Sequence, residues 1–298
     1  MKESEDLQIG GSSMKVNSKI VSLQLLAAGY CKHAEFITIR GGSIGNAIFP
    51  AGFACIRHPE QGVILFDTGY AHRFYQETDS FPYSIYARIT PVTVKHEDHA
   101  VQQLVSTDIN PNEVRFIVIS HFHADHIAGL RDFPNATFIC SKKSYDAVRT
   151  LTGFRAVRHA FIPALLPDDF EARCIQLDDV GSTLMPEGLP FNVGHDIFQD
   201  GSLICVDVSG HAVGQLGLFV ETEAHEYFLC ADAVWSSRAY REARSPHPIA
   251  GLIMSDRRVY QESFNRIVEL YKLKPKLRII PSHCIEVWSQ FIQGDELL

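Results

Sequence analysis

The stretch "ISHFHADHIAG", Ile119–Gly129, places three histidines and one aspartate within six positions. It continues directly from an apolar run with the composition of a buried β-strand. Because alternate side chains of an extended segment share a face, His121 and His123 point the same way, while Asp125 and His126 follow where the chain turns. Imidazole and carboxylate groups are ligands of zinc and other first-row metals. The stretch therefore predicts a metal centre at the end of a strand.

Three further ligand-type residues stand where other apolar runs end, namely His211, Asp232 and His283. Each of them alone would be interpreted as an ordinary turn residue, but their common position after predicted strands makes all three candidates. Because the chain turns at Asp125 and His126, these two residues can face a second ion beside the first. Four ligands from one loop are too few for two ions, so further ligands are needed. The predicted metal ligands are His121, His123, Asp125, His126, His211, Asp232 and His283.

The order of predicted elements favours two sheets packed face to face with helices outside. Runs of β-type residues separated by turn residues predict strands at Val21–Ala27, Phe36–Ile39, Ala47–Phe49, Phe53–Ile56, Val63–Phe66, Arg115–Ile119, Thr137–Cys140, Leu203–Val208, Gln215–Glu221, Glu226–Ala231 and Leu277–Ile280. Helical patterns predict helices at His96–Leu104, Ser141–Leu151 and Asp256–Lys272.

The chain is predicted to form one domain preceded by a tail. Residues 1–19 contain too few apolar side chains to pack, which predicts a flexible segment. No domain boundary is evident from 20 to 298, and the Pro- and Gly-rich residues 152–200 are interpreted as an insertion within that domain. This insertion has no clear pattern of helices or strands.

Composition and charge exclude several classes of partner. The net charge is −8 and no run of Lys and Arg is present, so we expect no nucleic-acid partner. The seven cysteines form no C-x-x-C pair, and neither a secretory signal nor a run of about 20 apolar residues is evident. We therefore expect a protein of the reducing cytoplasm that does not bind membranes. The oligomeric state is left open, with a homodimer as one option.

The series His121-x-His123-x-Asp125-His126, followed by His211, Asp232 and His283, resembles the metallo-β-lactamase superfamily. The resemblance extends over nearly the whole chain from Val21. It implies an α+β fold, the four-layer αββα sandwich, with the metal site at one edge. It also implies that Asp67 in "FDTG" supports the site from outside the ligand set.

Carried over by position, the resemblance implies two ions. His121, His123 and His211 would hold the first ion, and Asp125, His126 and His283 would hold the second. Asp232 would bridge the two ions. Zinc is the expected metal, with manganese and iron as alternatives, and no residue is assigned to an organic cofactor.

The implied reaction is hydrolysis by a hydroxide that bridges the two ions. Asp125 is the one predicted catalytic residue, as a proton shuttle to the leaving group. No protein nucleophile is required, and the nucleophile pattern G-x-S-x-G is absent from the sequence.

Among branches of the family, the sequence is most similar to N-acyl-homoserine lactonases and glyoxalase II-type thioesterases. His123 stands where the diiron flavoprotein branch carries Glu, and true β-lactamases do not use a bridging residue such as Asp232. The stretches Arg73–Ile89 and Phe161–Phe170 are candidates for an apolar cleft that binds the apolar part of a small substrate. Trp235 departs from the lactonase pattern, which has Tyr there, so a related lactone or ester is equally expected.

Three alternatives to a lactonase remain open at this point. A glyoxalase II-like enzyme would cleave thioesters with the same ligand set. A mononuclear iron dioxygenase of the same fold would consume oxygen instead of hydrolysing a substrate. A catalytically silent protein could retain the fold as a ligand sensor.

Overall fold

A computed structural model of the protein describes residues 19–292, with the side chains of 291 and 292 left aside. The predicted flexible tail, 1–19, therefore lies outside the described residues except for Lys19. The backbone N–H of Lys19 donates to the carbonyl oxygen of Asp200 at 3.1 Å. None of the helices within 19–292 has the length and apolar character required to cross a membrane.

The strands are β1 (Ser22–Ala34), β2 (Asn46–His58), β3 (Gly62–Phe66), β4 (Val92–Thr93), β5 (Val114–Val118), β6 (Thr137–Cys140), β7 (Cys174–Gln176), β8 (Thr183–Leu184), β9 (Val193–Asp196), β10 (Leu203–Asp207), β11 (Leu216–Glu221), β12 (Glu226–Ala231) and β13 (Arg278–Pro281). The α-helices are α1 (Glu35–Thr38), α2 (Arg73–Glu77), α3 (Tyr83–Ile89), α4 (Ala100–Ser106), α5 (Ala124–Ile127), α6 (Lys142–Val148), α7 (Gly153–Arg158), α8 (Ser237–Arg241), α9 (Arg257–Leu273) and α10 (Ile285–Ile292). Short 3₁₀ turns lie at His96–Asp98, Pro111–Glu113, Leu130–Asp132, Pro163–Leu165, Glu171–Arg173, Leu177–Val180 and Pro248–Leu252.

The strands form two mixed sheets. The first has the order β4-β1-β2-β3-β5-β6-β7, and the second has the order β13-β12-β11-β10-β9-β8. In the first sheet β3, β5 and β6 run parallel to one another, whereas β1 and β2 are antiparallel. In the second sheet only the β12–β13 pair is parallel.

The two sheets pack face to face, as the alternating directions of successive side chains along β3 illustrate. Ile64 and Phe66 belong to the buried cluster between the sheets, while Leu65 belongs to the cluster under the helices outside the first sheet. A third cluster joins the outer face of the second sheet to α8 and α9, for example through Phe228 and Phe264. Three buried layers between four layers of secondary structure confirm the predicted αββα sandwich.

Three predicted strands differ from the structure. Of the run Phe36–Ile39, the first three residues lie in the short helix α1, because their side chains are half-buried without the alternation of a strand, and the buried Ile39 follows the helix. The Phe36 ring packs edge-on against His247. The runs Ala47–Phe49 and Phe53–Ile56 belong to the single strand β2. It continues through Pro50 because the register of β1 shifts in this region, so the missing N–H is tolerated.

The fold brings the predicted ligands together because the segments that carry them leave the sheets at one edge. Strands β3 and β5 are parallel neighbours in one sheet, and β12 and β13 are parallel neighbours in the other. Asp67, His121, Asp232 and His283 follow the carboxyl ends of these four strands. The N–H of Leu216 at the start of β11 donates to the carbonyl of Ser120 at 2.9 Å, which joins the sheets at the same edge.

Strand β2 and helix α10 pack very closely at Gly52. A Cβ atom on Gly52 would collide with the indole ring of Trp288, which is 2% exposed. We expect Gly52→Ala to lower the free energy of unfolding by about 1–3 kcal/mol, as overpacking of a core does. Urea unfolding measures this change, with Gly45→Ala as the control because Gly45 is exposed. Equal stabilities of the two variants would contradict this account of the contact.

Candidate metal centre

All seven predicted ligands lie in one cluster at the edge of the sandwich. One ligand atom from each of His121, His123 and His211 lies within 4.8 Å of the other two. The same spacing holds within two further groups, which are Asp125, His126 and His283, and His121, His126 and Asp232. The groups share members, so the cluster is continuous.

Asp232 contacts members of both predicted ion sites. Its Oδ2 atom lies 3.2 Å from Nε2 of His211 and 3.0 Å from Nε2 of His283. Its Oδ1 atom lies 3.4 Å from Nε2 of His126. A carboxylate with these neighbours on both sides has the arrangement that a bridging ligand needs.

The unpartnered polar atoms of the cluster test whether it fits metal ions. Within the described residues, Nε2 of His121 and Nδ1 of His211 are buried without a hydrogen-bond partner, and Nε2 of His126 and Oδ1 of Asp232 have only a long contact with each other, at 3.4 Å. Leaving a buried polar atom unpaired costs about 1–3 kcal/mol, so such a concentration calls for another partner. Imidazole nitrogens and a carboxylate oxygen form the donor set that zinc, manganese and iron accept, and the residues therefore fit divalent cations.

Burial keeps one group of imidazoles neutral. It lowers the pKa of His123 to about 3 and the pKa of His211 to about 3, although Asp232 acts in the opposite direction on both. The pKa of His121 is lowered well below its usual value, first by burial and then by neighbouring His126. These three side chains can thus offer a lone pair without first losing a proton.

The second group of imidazoles titrates in the opposite direction. Burial alone would lower the pKa of His283, but Asp232 and Asp125 outweigh it and raise the pKa to about 9. Burial alone would also lower the pKa of His126, but the carboxylates of Asp67, Asp125 and Asp232 raise it well above its usual value. These imidazoles must lose protons before they can bind a cation.

Asp67 supports the cluster from the end of β3, as the resemblance implies. Its Oδ2 atom lies 2.8 Å from Nδ1 of His126, and it accepts from the backbone N–H and the hydroxyl of Ser120 at 2.8 and 2.7 Å. Since the Ser120 hydroxyl donates to Asp67, its oxygen is left to accept from Nδ1 of His121 at 3.0 Å. The Nε2 atoms of both rings are therefore directed away from these partners: His121, which is neutral, carries its lone pair there, and His126 gains one there once it loses its extra proton.

Two contacts around the cluster were not predicted from the sequence. Nδ1 of His283 lies 2.7 Å from the carbonyl oxygen of Pro50, which directs the other ring nitrogen to the cluster. Trp235, at the position of the lactonase Tyr, donates its Nε1–H to Oδ2 of Asp232 at 3.2 Å. The sequence identified Trp235 as a donor, but only the fold shows that the carboxylate is its partner.

A cavity of about 510 Å³ opens over the cluster. Asp125, which is 8% exposed, lines it together with apolar side chains such as Phe49, Tyr86 and Ile89. Of the two stretches predicted to form a cleft, Arg73–Ile89 contributes to this wall. The stretch Phe161–Phe170 instead supplies buried core residues beneath the first sheet.

Residues 55–283 match the family described as Metallo-beta-lactamase superfamily, and the chain belongs to that family. The N-acyl homoserine lactonase AttM of Rhizobium johnstonii is 24% identical over 278 residues, which cover 93% of this chain and 98% of that protein. The N-acyl homoserine lactonase AiiA of Bacillus thuringiensis subsp. kurstaki is 26% identical over 275 residues, covering 90% and 94%.

Solved structures share the fold. An N-acyl homoserine lactone hydrolase with the product N-hexanoyl-L-homoserine bound at its catalytic metal center superposes with a TM-score of 0.63 at 21% identity, covering 92% of this chain and 97% of that chain. AidC, a dizinc quorum-quenching lactonase, superposes with a TM-score of 0.61 at 17% identity, covering 91% and 90%.

We expect Asp67→Asn to weaken zinc binding by about 10- to 100-fold, because the amide cannot accept all the hydrogen bonds that orient Ser120 and His126. Competition with a chromophoric chelator measures the affinity. Asp200→Asn is the control, since it alters another His–Asp pair, between the partly buried Asp200 and the buried His58 at 2.9 Å, outside the cluster. Equal zinc affinities for both variants would rule out the supporting role of Asp67.

Proposed function

We propose that the protein is a dinuclear metallohydrolase that opens lactones of the N-acyl-homoserine type or closely related esters. The observation that carries the proposal is the Asp232 carboxylate, which lies within 3.4 Å of imidazoles from both groups beside a largely apolar cavity. The lactonase relatives and the family membership support the choice of bond. The free cysteines, mostly buried, support a reducing compartment such as the cytoplasm.

The chain would divide its ligands between two ions. His121, His123 and His211 would hold one ion, and Asp125, His126 and His283 the other, with Asp232 shared. When bound, the ions would supply a hydroxide nucleophile near neutral pH and polarise the lactone carbonyl. Zinc is our proposed metal, with manganese or iron as alternatives.

Asp125 is the residue that we assign to proton transfer. Its Oδ2 atom lies 3.3 Å from Nε2 of His283, and its side chain borders the cavity. A carboxyl group in that position can pass a proton to the ring oxygen that leaves when the lactone opens. The apolar wall beside it would receive the acyl chain and hold the carbonyl against the cluster.

A hydrolysis screen tests the reaction class. We expect zinc-loaded protein to open N-acyl-homoserine lactones or other lactones in preference to thioesters and phosphodiesters. Elemental analysis and an oxygen electrode are run alongside. Oxygen uptake by an iron-containing preparation would identify the dioxygenase alternative. Preferred cleavage of thioesters would identify the glyoxalase II alternative, and absence of all turnover would indicate a binding protein.

In the same assay Asp232→Ala should lose the second ion and at least about 100-fold in turnover, because an ion contributes several kcal/mol of charge stabilisation. Asp207→Ala is the control, as this exposed aspartate ends a strand of the same sheet. Parental turnover by Asp232→Ala would refute the bridging assignment.

The opposite pKa shifts predict different pH dependences for the two ions. At pH 6 the pKa values of about 3 leave His123 and His211 neutral, whereas the pKa of about 9 leaves His283 protonated. We expect the affinity for the second ion to rise by about tenfold per pH unit towards pH 9 for each displaced proton. The affinity for the first ion should depend less on pH, because its imidazoles are already neutral. Calorimetric zinc titrations of metal-free protein at pH 6 and pH 8 measure both affinities, and identical pH dependences would contradict the assignment.

A further inference from the structure

A second cavity, of about 460 Å³, also borders the His123–His211 pair. These two imidazoles and Arg158 line both cavities, so a single molecule could extend from one cavity into the other past the cluster. The first cavity has aromatic and aliphatic walls. The second cavity shares Arg158 with the first and adds Arg155 and Arg257, so three guanidinium groups line it.

The three arginines make the second cavity cationic within an acidic protein of net charge −8. No carboxylate from the described residues lines it, and none of the three arginines forms an ion pair in that part of the chain. The next residue on α9, Arg258, is by contrast paired with Glu262 at 3.2 Å. Unpaired cations that share a concave surface focus a positive potential on its interior.

The side chain of Arg257 is exposed and reaches the second cavity beside Gly251. Arg257 is the first residue of α9, where the helix dipole disfavours a cation. The neighbouring carboxylate of Asp256 accepts hydrogen bonds from the backbone N–H groups of Arg258 and Val259. The Arg257 side chain instead lies against Gly251, where any Cβ atom would collide with it. A glycine therefore leaves room for this guanidinium at the wall of the cavity.

We propose that the second cavity binds an anionic group of the substrate, a carboxylate or a phosphate, while the apolar chain of the same molecule occupies the first cavity. Guanidinium groups bind both oxyanions through paired N–H donors. The preferred substrate is then a lactone or ester with an apolar acyl chain on one side of the reacting carbonyl and an anion on the other. This inference rests on the proposed hydrolase function.

Matched ester pairs test the inference and distinguish the two anions. The carboxylate pair is O-octanoylglycolate and its neutral amide, O-octanoylglycolamide. The phosphate pair is 2-(octanoyloxy)ethyl phosphate and 2-(octanoyloxy)ethanol. With zinc-loaded protein we expect the anionic member of at least one pair to have a kcat/KM about tenfold or more higher, mainly through a lower KM. Equal values within both pairs overturn the anion site.

Substitutions then locate the preference. Arg155→Gln and Arg257→Gln should each remove most of the anionic advantage while turnover of the neutral esters persists. Gly251→Ala should act like Arg257→Gln, because it displaces the guanidinium without removing it. Arg258→Gln should keep the preference, because this neighbouring arginine does not line the cavity. An advantage that survives in Arg155→Gln and Arg257→Gln overturns the proposal.

A binding measurement separates this inference from the proposed function. If no ester or lactone is hydrolysed, the hydrolase proposal fails, and calorimetry with inorganic phosphate tests the cavity alone. The zinc-loaded parent is compared with an Arg155→Gln/Arg257→Gln variant that retains its zinc. Weaker phosphate binding by the variant by about tenfold supports an anion site, and equal binding by the two proteins overturns it.

Discussion

The carboxylate of Asp67 links the framework of the fold to the geometry of the cluster. It follows β3, and it accepts hydrogen bonds from Ser120, which follows the parallel neighbour β5, and from His126 on α5. Asp67 itself has a φ of 60°, a left-handed conformation that costs a non-glycine residue about 1 kcal/mol or more. The parallel strand ends and these buried hydrogen bonds hold it there. Through Ser120 and His126 the same carboxylate fixes which ring nitrogens face the metal site.

Charge compensation explains why so many ionisable groups can be buried together. Burial alone would lower the pKa of both His126 and His283, but Asp67, Asp125 and Asp232 raise the pKa of His126, and Asp232 and Asp125 raise the pKa of His283. Burial alone would raise the pKa of Asp232, but His283, His126 and His211 lower it well below its usual value. The imidazoles of His123 and His211 instead remain neutral. The metal-free cluster is thus balanced by protons on one side. Cations can replace those protons without leaving the carboxylates uncompensated, which is the linkage expected of a metal site.

The sequence predicted that the seven candidate ligand side chains would lie together because two simple regularities apply. The ligands in the loop after β5 are close in sequence, and the three distant candidates each follow an apolar strand. Local propensity predicted a strand at Phe36–Ile39, and this prediction was wrong. Burial does not alternate along Phe36–Thr38, and these residues form part of helix α1. Local propensity also predicted two strands where the structure has the single strand β2. The strand continues through Gly52, where a side chain from the distant helix α10 packs against the backbone. The cationic cavity has no local pattern at all, since its arginines come from α7 and from the start of α9.

Trp235 connects the chemistry of the cluster to the choice of substrate. Its N–H is directed at Asp232, and its ring packs edge-on against His211 with 5.4 Å between ring centroids. At 4% exposure it orients the carboxylate of Asp232, a proposed ligand, and offers little surface to a substrate carbonyl. The donor that the resemblance places at this position is therefore turned inward. In the proposed function, recognition of the substrate would then rest on its two ends, and the two cavities that border His123 and His211 offer surfaces for them.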